Sequence, residues 1–364
     1  MRTSSDKEYI CILGCGGFIG SHLCRALLDT QKYVVHGVDL SSYRITDLTE
    51  NRDFVFHNQD IQDLGRIRDV IEGCSTVVNL IALCNPSMYN TRPVDVIEIN
   101  FIKPYELVRL CAATGKRLIH FSTSEVYGKT LQGVAGEALK SPESEENYIL
   151  KEDTSDMILG PVSSQRWSYA SAKQLLERSI YAYGFEKDLD FTIIRPLNFI
   201  GPRMDYIPGI DGEGVPRVLA CFMDALIFGK PIKLVDGGMN KRTFTYIDDA
   251  VEAVIRIIER PEMCKREIFN IGHPKNECSI KELAQRMINL YKELYPEQYP
   301  EGVRVQDVSA SDFYGQGYED SDRRVPDISK AESLLGWRPV TGIDQALKLC
   351  IKDYTERYAK GVPV

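Results

Sequence analysis

Tyr169 and Lys173 stand four residues apart in the run Y-A-S-A-K, inside a segment with helical spacing. On a helix this spacing puts both side chains on one face. A free phenol has a pKa of about 10. A lysine cation and an oxidised nicotinamide beside it favour the phenolate. Such a phenolate takes the proton of an alcohol while the carbon gives up hydride. The same pair is commonplace on amphipathic helices, so this reading requires a hydride acceptor nearby.

The glycine loop meets that requirement. Gly14, Gly17 and Gly20 recur every third residue in G-C-G-G-F-I-G, between an apolar run and a helical segment opened by Phe18 and Ile19. The first glycine lets the chain turn, the second lets the backbone approach a pyrophosphate, and the third packs helix on strand. The helix N-terminus then offers free N–H groups to the anion. Asp39 follows nineteen residues after Gly20, at the end of the second strand. A carboxylate there accepts from both ribose hydroxyls and repels a 2'-phosphate, so NAD is expected rather than NADP. Asp60 and Ile61 end the third strand and are either an adenine contact or a plain turn. A last polar group, Ser122-Thr123-Ser124-Glu125-Val126-Tyr127-Gly128, ends the fifth strand. In a doubly wound sheet ligands sit at such carboxyl ends, so Thr123, Ser124 and Glu125 are substrate-contact candidates. A polar turn is the alternative.

The elements that must position these residues are legible as well. Residues 9–13, 33–38, 54–57, 76–83, 118–122 and 191–195 predict strands, and residues 18–28, 61–71, 94–111 and 165–183 predict helices. Their alternation predicts an α/β fold with a doubly wound parallel sheet of the Rossmann type. Residues 131–160 are acidic and contain Gly, Pro and Ser, which predicts a loop over the surface or over a site. Residues 201–215 are rich in Gly and Pro, and short strands at 232–235 and 268–271 follow. They predict a smaller C-terminal α/β substrate-binding lobe, interleaved with the last strands of the sheet. The expected division is 1–197 for the NAD-binding domain and 198–364 for the substrate lobe. At 364 residues, two such units match the usual domain size of about 150.

Charge and cysteine usage exclude several classes. With 44 basic and 52 acidic residues the net charge is -8, which argues against a nucleic-acid binder. No apolar run reaches the roughly 18 residues that span a bilayer, and no secretory leader is expected. Ten cysteines without a C-x-x-C pair predict free thiols and a cytoplasmic protein. The five histidines have no metal-ligand spacing, so no metal is expected.

Taken together, the glycine loop, S-T-S-E-V-Y-G and Y-x-x-x-K resemble the extended short-chain dehydrogenase/reductase superfamily of nucleotide-sugar epimerases, dehydratases and decarboxylases. Within it, T-S-E is similar to the UDP-glucuronic acid decarboxylases. Arg195-Pro196-Leu197-Asn198-Phe199-Ile200-Gly201-Pro202-Arg203 resembles the family's substrate-binding segment. The run from Lys233 to Arg242, with Tyr314-Gly315-Gln316-Gly317-Tyr318, is similar to the uridine-binding part of the aminoarabinose-pathway decarboxylase. This resemblance implies Glu125 as catalytic base and Arg324 as catalytic acid. It also implies Tyr89, Arg166, Asn198, Arg203, Lys233, Arg242 and Tyr318 as contacts to UDP-glucuronate. The basic residues among them read equally as surface charges.

The runs Y-I-L-K-E-D, Q-R-W-S-Y-A and G-V-P-R-V-L-A-C-F also resemble the plant UDP-apiose/UDP-xylose synthases. Those enzymes use two cysteines for ring contraction. Cys84 matches one, while Ser124 stands where the other is expected. The resemblance therefore implies NAD-dependent decarboxylation of UDP-glucuronate to a UDP-4-keto-pentose or UDP-xylose. Ring contraction to UDP-apiose is the alternative, and a non-catalytic NAD-binding sensor and a 4-epimerase remain open. The catalytic set is Tyr169, Lys173, Glu125, Arg324, Thr123, Ser124 and Cys84. Family members pair through two long helices, which implies a homodimer here through residues 94–111 and 165–183.

Overall fold

The structure, a computed structural model, describes residues 7–130, 134–135, 144–212, 215–314, 321 and 323–359. A central sheet is formed by β1 (Glu8–Leu13), β2 (Tyr33–Asp39), β3 (Phe54–Asn58), β4 (Thr76–Asn79), β5 (Arg117–Phe121), β6 (Phe191–Pro196) and β7 (Glu267–Ile271). Its order is β7-β6-β5-β4-β1-β2-β3, and every pairing is parallel. Helices cover both faces, so the strands are apolar on both sides. In β1, Ile10 and Ile12 enter one core cluster, while Cys11 and Leu13 enter the other. The order reverses between β1 and β4. Their carboxyl ends open there into a crevice, the place where such sheets bind ligands.

Helix α1 (Phe18–Asp29) follows the glycine loop, and α2 (Leu64–Gly73) lies between β3 and β4. The helix expected over residues 94–111 is broken. It comprises Pro93–Ile97, a π-helical turn at Glu98–Ile102, and α3 (Lys103–Thr114). Buried Asn100 accounts for the break. Its amide donates to the carbonyls of Leu83 (3.0 Å) and Val96 (2.8 Å), and its oxygen accepts from the Leu83 N–H (3.2 Å). Turns of this kind often mark functional sites. β4 is also shorter than expected and stops at Asn79, which faces the end of β1 at Leu13. Beyond it the chain leaves the sheet and lines the crevice.

Helix α4 (Ser168–Lys187) packs beside α3. The later part of the chain forms α5 (Val218–Phe228), α6 (Ile247–Glu259), α7 (Ile280–Leu294) and α8 (Ile343–Tyr358). Three short strand pairs accompany them: Phe199–Ile200 with Thr245–Tyr246, Ile232–Val235 with Val305–Val308, and Lys241–Thr243 with Glu277–Ser279. One core cluster runs from Ile10 through Ile247 to Tyr354 and joins this part to the sheet. All ten cysteines are free thiols, and eight of them are buried. Among the described residues no helix is long and apolar enough to cross a membrane.

Candidate active site

The glycine loop sits at the end of β1. A Cβ on Gly16 would lie 2.0 Å from the Ser41 carbonyl oxygen, and one on Gly20 would lie 2.1 Å from that of Gly14. Neither position has room for a side chain. The Gly16 N–H donates to Asp39 (2.9 Å), and the Ser41 N–H donates to the other carboxylate oxygen (3.0 Å). Asp39 is therefore held rigidly at the end of β2 beside the loop. Gly17 caps α1, whose N-terminus carries no side-chain cap and no acidic residue in its first turn. That leaves it suited to an anion. Phe18 is buried and Ile19 faces the crevice. Gly16 was not among the residues singled out in the sequence, because the three-residue spacing passes over it. Gly16→Ala is expected to weaken NAD binding by at least about 10-fold, since the loop must open to take a methyl group. Isothermal titration with NAD checks this, and unchanged affinity would remove Gly16 from the site.

Asp60 is engaged locally. Its carboxylate accepts from the Gln62 backbone (2.9 Å) and side chain (3.3 Å). Ile61 is packed in the core with Leu13 and Val38. Asp60 thus shapes the turn at the end of β3, over a buried Ile61.

A cavity of about 350 Å3 extends from Ile19 over Leu80, Phe121 and Ser122 to Tyr169 and Arg324. Tyr169 and Lys173 project from α4 and are buried. Lys173 donates to the Phe121 carbonyl at 3.0 Å, just before the polar strand end. Burial lowers its pKa to about 8. Burial, with Cys84 and Glu125 beside it, pushes the Tyr169 phenol well above its ordinary value, while a hydrogen bond from Thr123 pulls it back. Tyr89 stacks on Tyr169, with centroids 5.1 Å apart and planes 8° from parallel.

Glu125 lies between two arginines. Its Oε1 is 2.6 Å from Arg324 Nη1, and its Oε2 is 2.6 Å from Arg166 Nη1. Both arginines are buried. Burial alone would raise the carboxyl's pKa, but Arg166 and Arg324 together hold it well below the usual carboxylate range. Arg166 also lies over the Trp167 ring at 4.9 Å. The sum over these three side chains is one positive charge. The group thus suits an anionic substrate while keeping its own carboxylate ionised.

Ser124, Thr123, Cys84, Tyr89 and Asn198 line the same cavity. Cys84 is exposed, on the loop after β4 that Asn100 holds. Asn198 is anchored by donating to the Thr243 carbonyl (2.9 Å). A second cavity of about 320 Å3 shares Pro216, Val218, Arg242 and Ile280 with the first and is also lined by Lys233. The two therefore form one elongated site, with Arg242 at the junction.

Arg203 is placed elsewhere. Its side chain is 44% exposed, it is absent from both cavity linings, and its guanidinium donates to the Arg44 carbonyl. Its backbone is left-handed at this position (φ +60°). The cavity holds Arg217 instead, braced by Asp205 (3.2 Å) and the Met204 carbonyl (2.8 Å). Arg217 caps the N-terminus of α5, where the helix dipole disfavours a cation. That misfit was the signal in the sequence. Tyr318 lies outside the described residues.

Residues 10–272 match the model of the NAD dependent epimerase/dehydratase family. The chain belongs to that family. The glycine cradle, Asp39 and buried Lys173 fit its dinucleotide. The chain is similar to UDP-D-apiose/UDP-D-xylose synthase 1 of Arabidopsis thaliana, with 46% identity over 97% of this chain and 92% of the relative. It is similar to UDP-D-apiose/UDP-D-xylose synthase of Oryza sativa subsp. japonica at 45%, covering 97% and 90%. Among solved structures it resembles the PbgP3 protein from Burkholderia pseudomallei, with a TM-score of 0.82 and 34% identity over 97% of this chain and 98% of that one. The fold is also that of UDP-glucuronic acid 4-epimerase from Bacillus cereus, solved with UDP-glucuronic acid and NAD. Here the TM-score is 0.76 and the identity 23%, covering 96% and 100%. The epimerase/dehydratase sheet expected from the sequence is therefore the observed one.

Proposed function

We propose that this family member decarboxylates UDP-glucuronate with NAD as catalytic cofactor, giving a UDP-4-keto-pentose, UDP-xylose or both. The observation that carries this reading is Glu125, clamped by Arg166 and Arg324 in the cavity that also holds Tyr169. The glycine loop, Asp39 and Lys173 would hold the dinucleotide, which would supply a two-electron acceptor for C4 and, once reduced, the hydride that converts the 4-keto-pentose to UDP-xylose unless the ketone leaves first. Tyr169 takes the C4 hydroxyl proton. The resulting C4 ketone lies beta to the carboxylate, so carbon dioxide leaves with its bonding electrons delocalised into that ketone. Thr123 or Ser124 donates to the developing oxyanion, a contact that strengthens as charge builds. The net positive charge around Glu125 orients the carboxylate. C5 is then protonated from Arg324, or from a water held between Glu125 and Arg324, since arginine gives up its proton reluctantly. Lys233, Arg242 and Tyr318 bind the uridine diphosphate, whose binding energy holds the sugar in reactive geometry.

Ring contraction to UDP-apiose is a second reading, favoured by the relatives' names and by exposed Cys84 in the cavity. Proton NMR of the protein with UDP-glucuronate and NAD separates the products. Xylose or 4-keto-pentose signals are expected. An apiose signal would establish ring contraction with Ser124 in place. An unchanged spectrum with cofactor bound would overturn the decarboxylase reading.

Two further features belong to this proposal. Ile97 and Ile102 on the broken helix and Leu175 on α4 are exposed, which supports a homodimer through these helices. Light scattering at twice the 41.2 kDa chain mass is the expected result, and a monomer would exclude it. The eight buried free thiols support the reducing cytoplasm as its compartment.

A further inference from the structure

Glu125 and Arg324 are 199 residues apart in the chain, yet their side chains meet at 2.6 Å. Something must set the distance between the segments that carry them. Arg324 leads into the two-residue strand Val325–Pro326, which pairs in parallel with Ile149–Leu150 at the margin of the molecule. So short a pair contributes few hydrogen bonds and does not locate a side chain by itself.

Asn270, near the end of β7, touches both segments. It is fully buried and absent from both cavity linings. Its amide nitrogen donates to the Leu150 carbonyl (2.8 Å) and to the Asp327 carbonyl (3.3 Å). Its amide oxygen accepts from the Tyr127 hydroxyl (2.9 Å), two residues after Glu125. The Tyr127 oxygen in turn accepts from Arg195 (2.8 Å), which is locked by two hydrogen bonds to Glu177 (3.1 and 2.6 Å). The Asn270 N–H donates to Glu152 (2.8 Å), two residues after the partner strand. One side chain, fixed on the sheet, therefore binds the glutamate segment through its acceptor, and through its donors both the arginine segment at Asp327 and that segment's partner strand at Leu150. No aspartate, leucine or serine of similar size supplies one acceptor and two donors in that plane.

We infer that Asn270 is a positioning residue that sets Arg324 against Glu125 and so governs the decarboxylation step. It bears little on C4 oxidation, because it contacts neither Tyr169 nor Lys173 and reaches α4 only at Glu177, through Tyr127 and Arg195. The inference rests on the proposed decarboxylase reading for the identity of the step.

Two readouts on Asn270→Ala test it. In the first, NADH formation and carbon dioxide release are followed separately after mixing with UDP-glucuronate and NAD. Carbon dioxide release is expected to fall about 10²-fold, the scale of a misplacement of about 1 Å. The rate of NADH formation is expected to hold. In the second, made without substrate, hydrogen exchange at residues 325–327 is expected to quicken about 10-fold while α4 is unchanged, as one or two bonds to the segment are lost. If Asn270→Ala does not fold, Asn270→Asp gives the same readouts, since it keeps the acceptor and loses both donors.

Equal loss of both chemical steps would mean a general structural role and overturn the inference. So would unchanged carbon dioxide release. If the wild-type protein releases no carbon dioxide, the functional reading fails, and the exchange readout alone decides the latch. Unchanged exchange at 325–327 then overturns it.

Discussion

Glu125→Gln is expected to lower carbon dioxide release from UDP-glucuronate by about 10² to 10⁴-fold, the range for loss of a positioned acid or base, with the fold retained. The substitution keeps the shape of the side chain and removes the charge between Arg166 and Arg324. Two buried guanidinium groups then face each other without a counter-charge. Breaking a fully buried pair costs about 3–5 kcal/mol. The Glu125 side chain is 20% exposed, so the loss in denaturant unfolding is expected below that range. NADH formation is expected to continue, because Tyr169 keeps its place. Full carbon dioxide release by the variant would remove Glu125 from the mechanism.

The same carboxylate sets a pH signature. Its folded pKa is depressed by Arg166 and Arg324 against the upward push of burial. A depressed carboxyl contributes stability that is complete above the unfolded value of about 4.3 and is lost as pH falls toward the folded value. The stability difference between wild type and Glu125→Gln is therefore expected to be flat from neutral pH to about pH 5 and to shrink only in stronger acid. Urea unfolding of both proteins over that range checks it. A difference that shrinks between pH 8 and 6 would mean that another group titrates.

Tyr169→Phe is expected to lower NADH formation by about 10² to 10⁴-fold, with NAD binding intact. The phenyl ring keeps the stack on Tyr89, so binding geometry is preserved. Absorbance of the reduced cofactor reads the first effect and calorimetry the second. Burial holds the Tyr169 phenol neutral in the free protein, so its ionisation needs cationic help. In the proposed mechanism Lys173 supplies that help only while charged, and burial brings its pKa to about 8. The kcat/KM of oxidation is expected to fall above about pH 8. The stability effect has the opposite sense. A lysine with a lowered folded pKa destabilises the protein fully below that value, and the cost fades as pH rises from about 8 toward the unfolded value of about 10.4. A rate that climbs steadily through pH 9 would exclude this role for Lys173.

Local features were legible because their causes are local. The glycine spacing, the acid at the end of β2, and Tyr and Lys at i and i+4 are each set within one turn, strand or helix. The run Ser122 to Glu125 belongs to this class too, since a polar stretch after a buried strand must lie at the sheet's edge. What the tertiary structure alone decided joins distant segments. Glu125, Arg166 and Arg324 become one charged group only after the end of β5, the segment before α4 and the 323–327 segment converge. The same convergence put Arg217 rather than Arg203 in the cavity lining, through its brace on Asp205 and the Met204 carbonyl. It also broke the helix at Asn100, whose amide gained two bonds to Leu83 on the loop after β4 at the expense of regular winding. Residue types and short spacings thus determined the glycine loop and the Tyr169–Lys173 pair. Long-range packing determined where the charges stand, because Coulomb energy depends on separations in space that no spacing along the chain encodes.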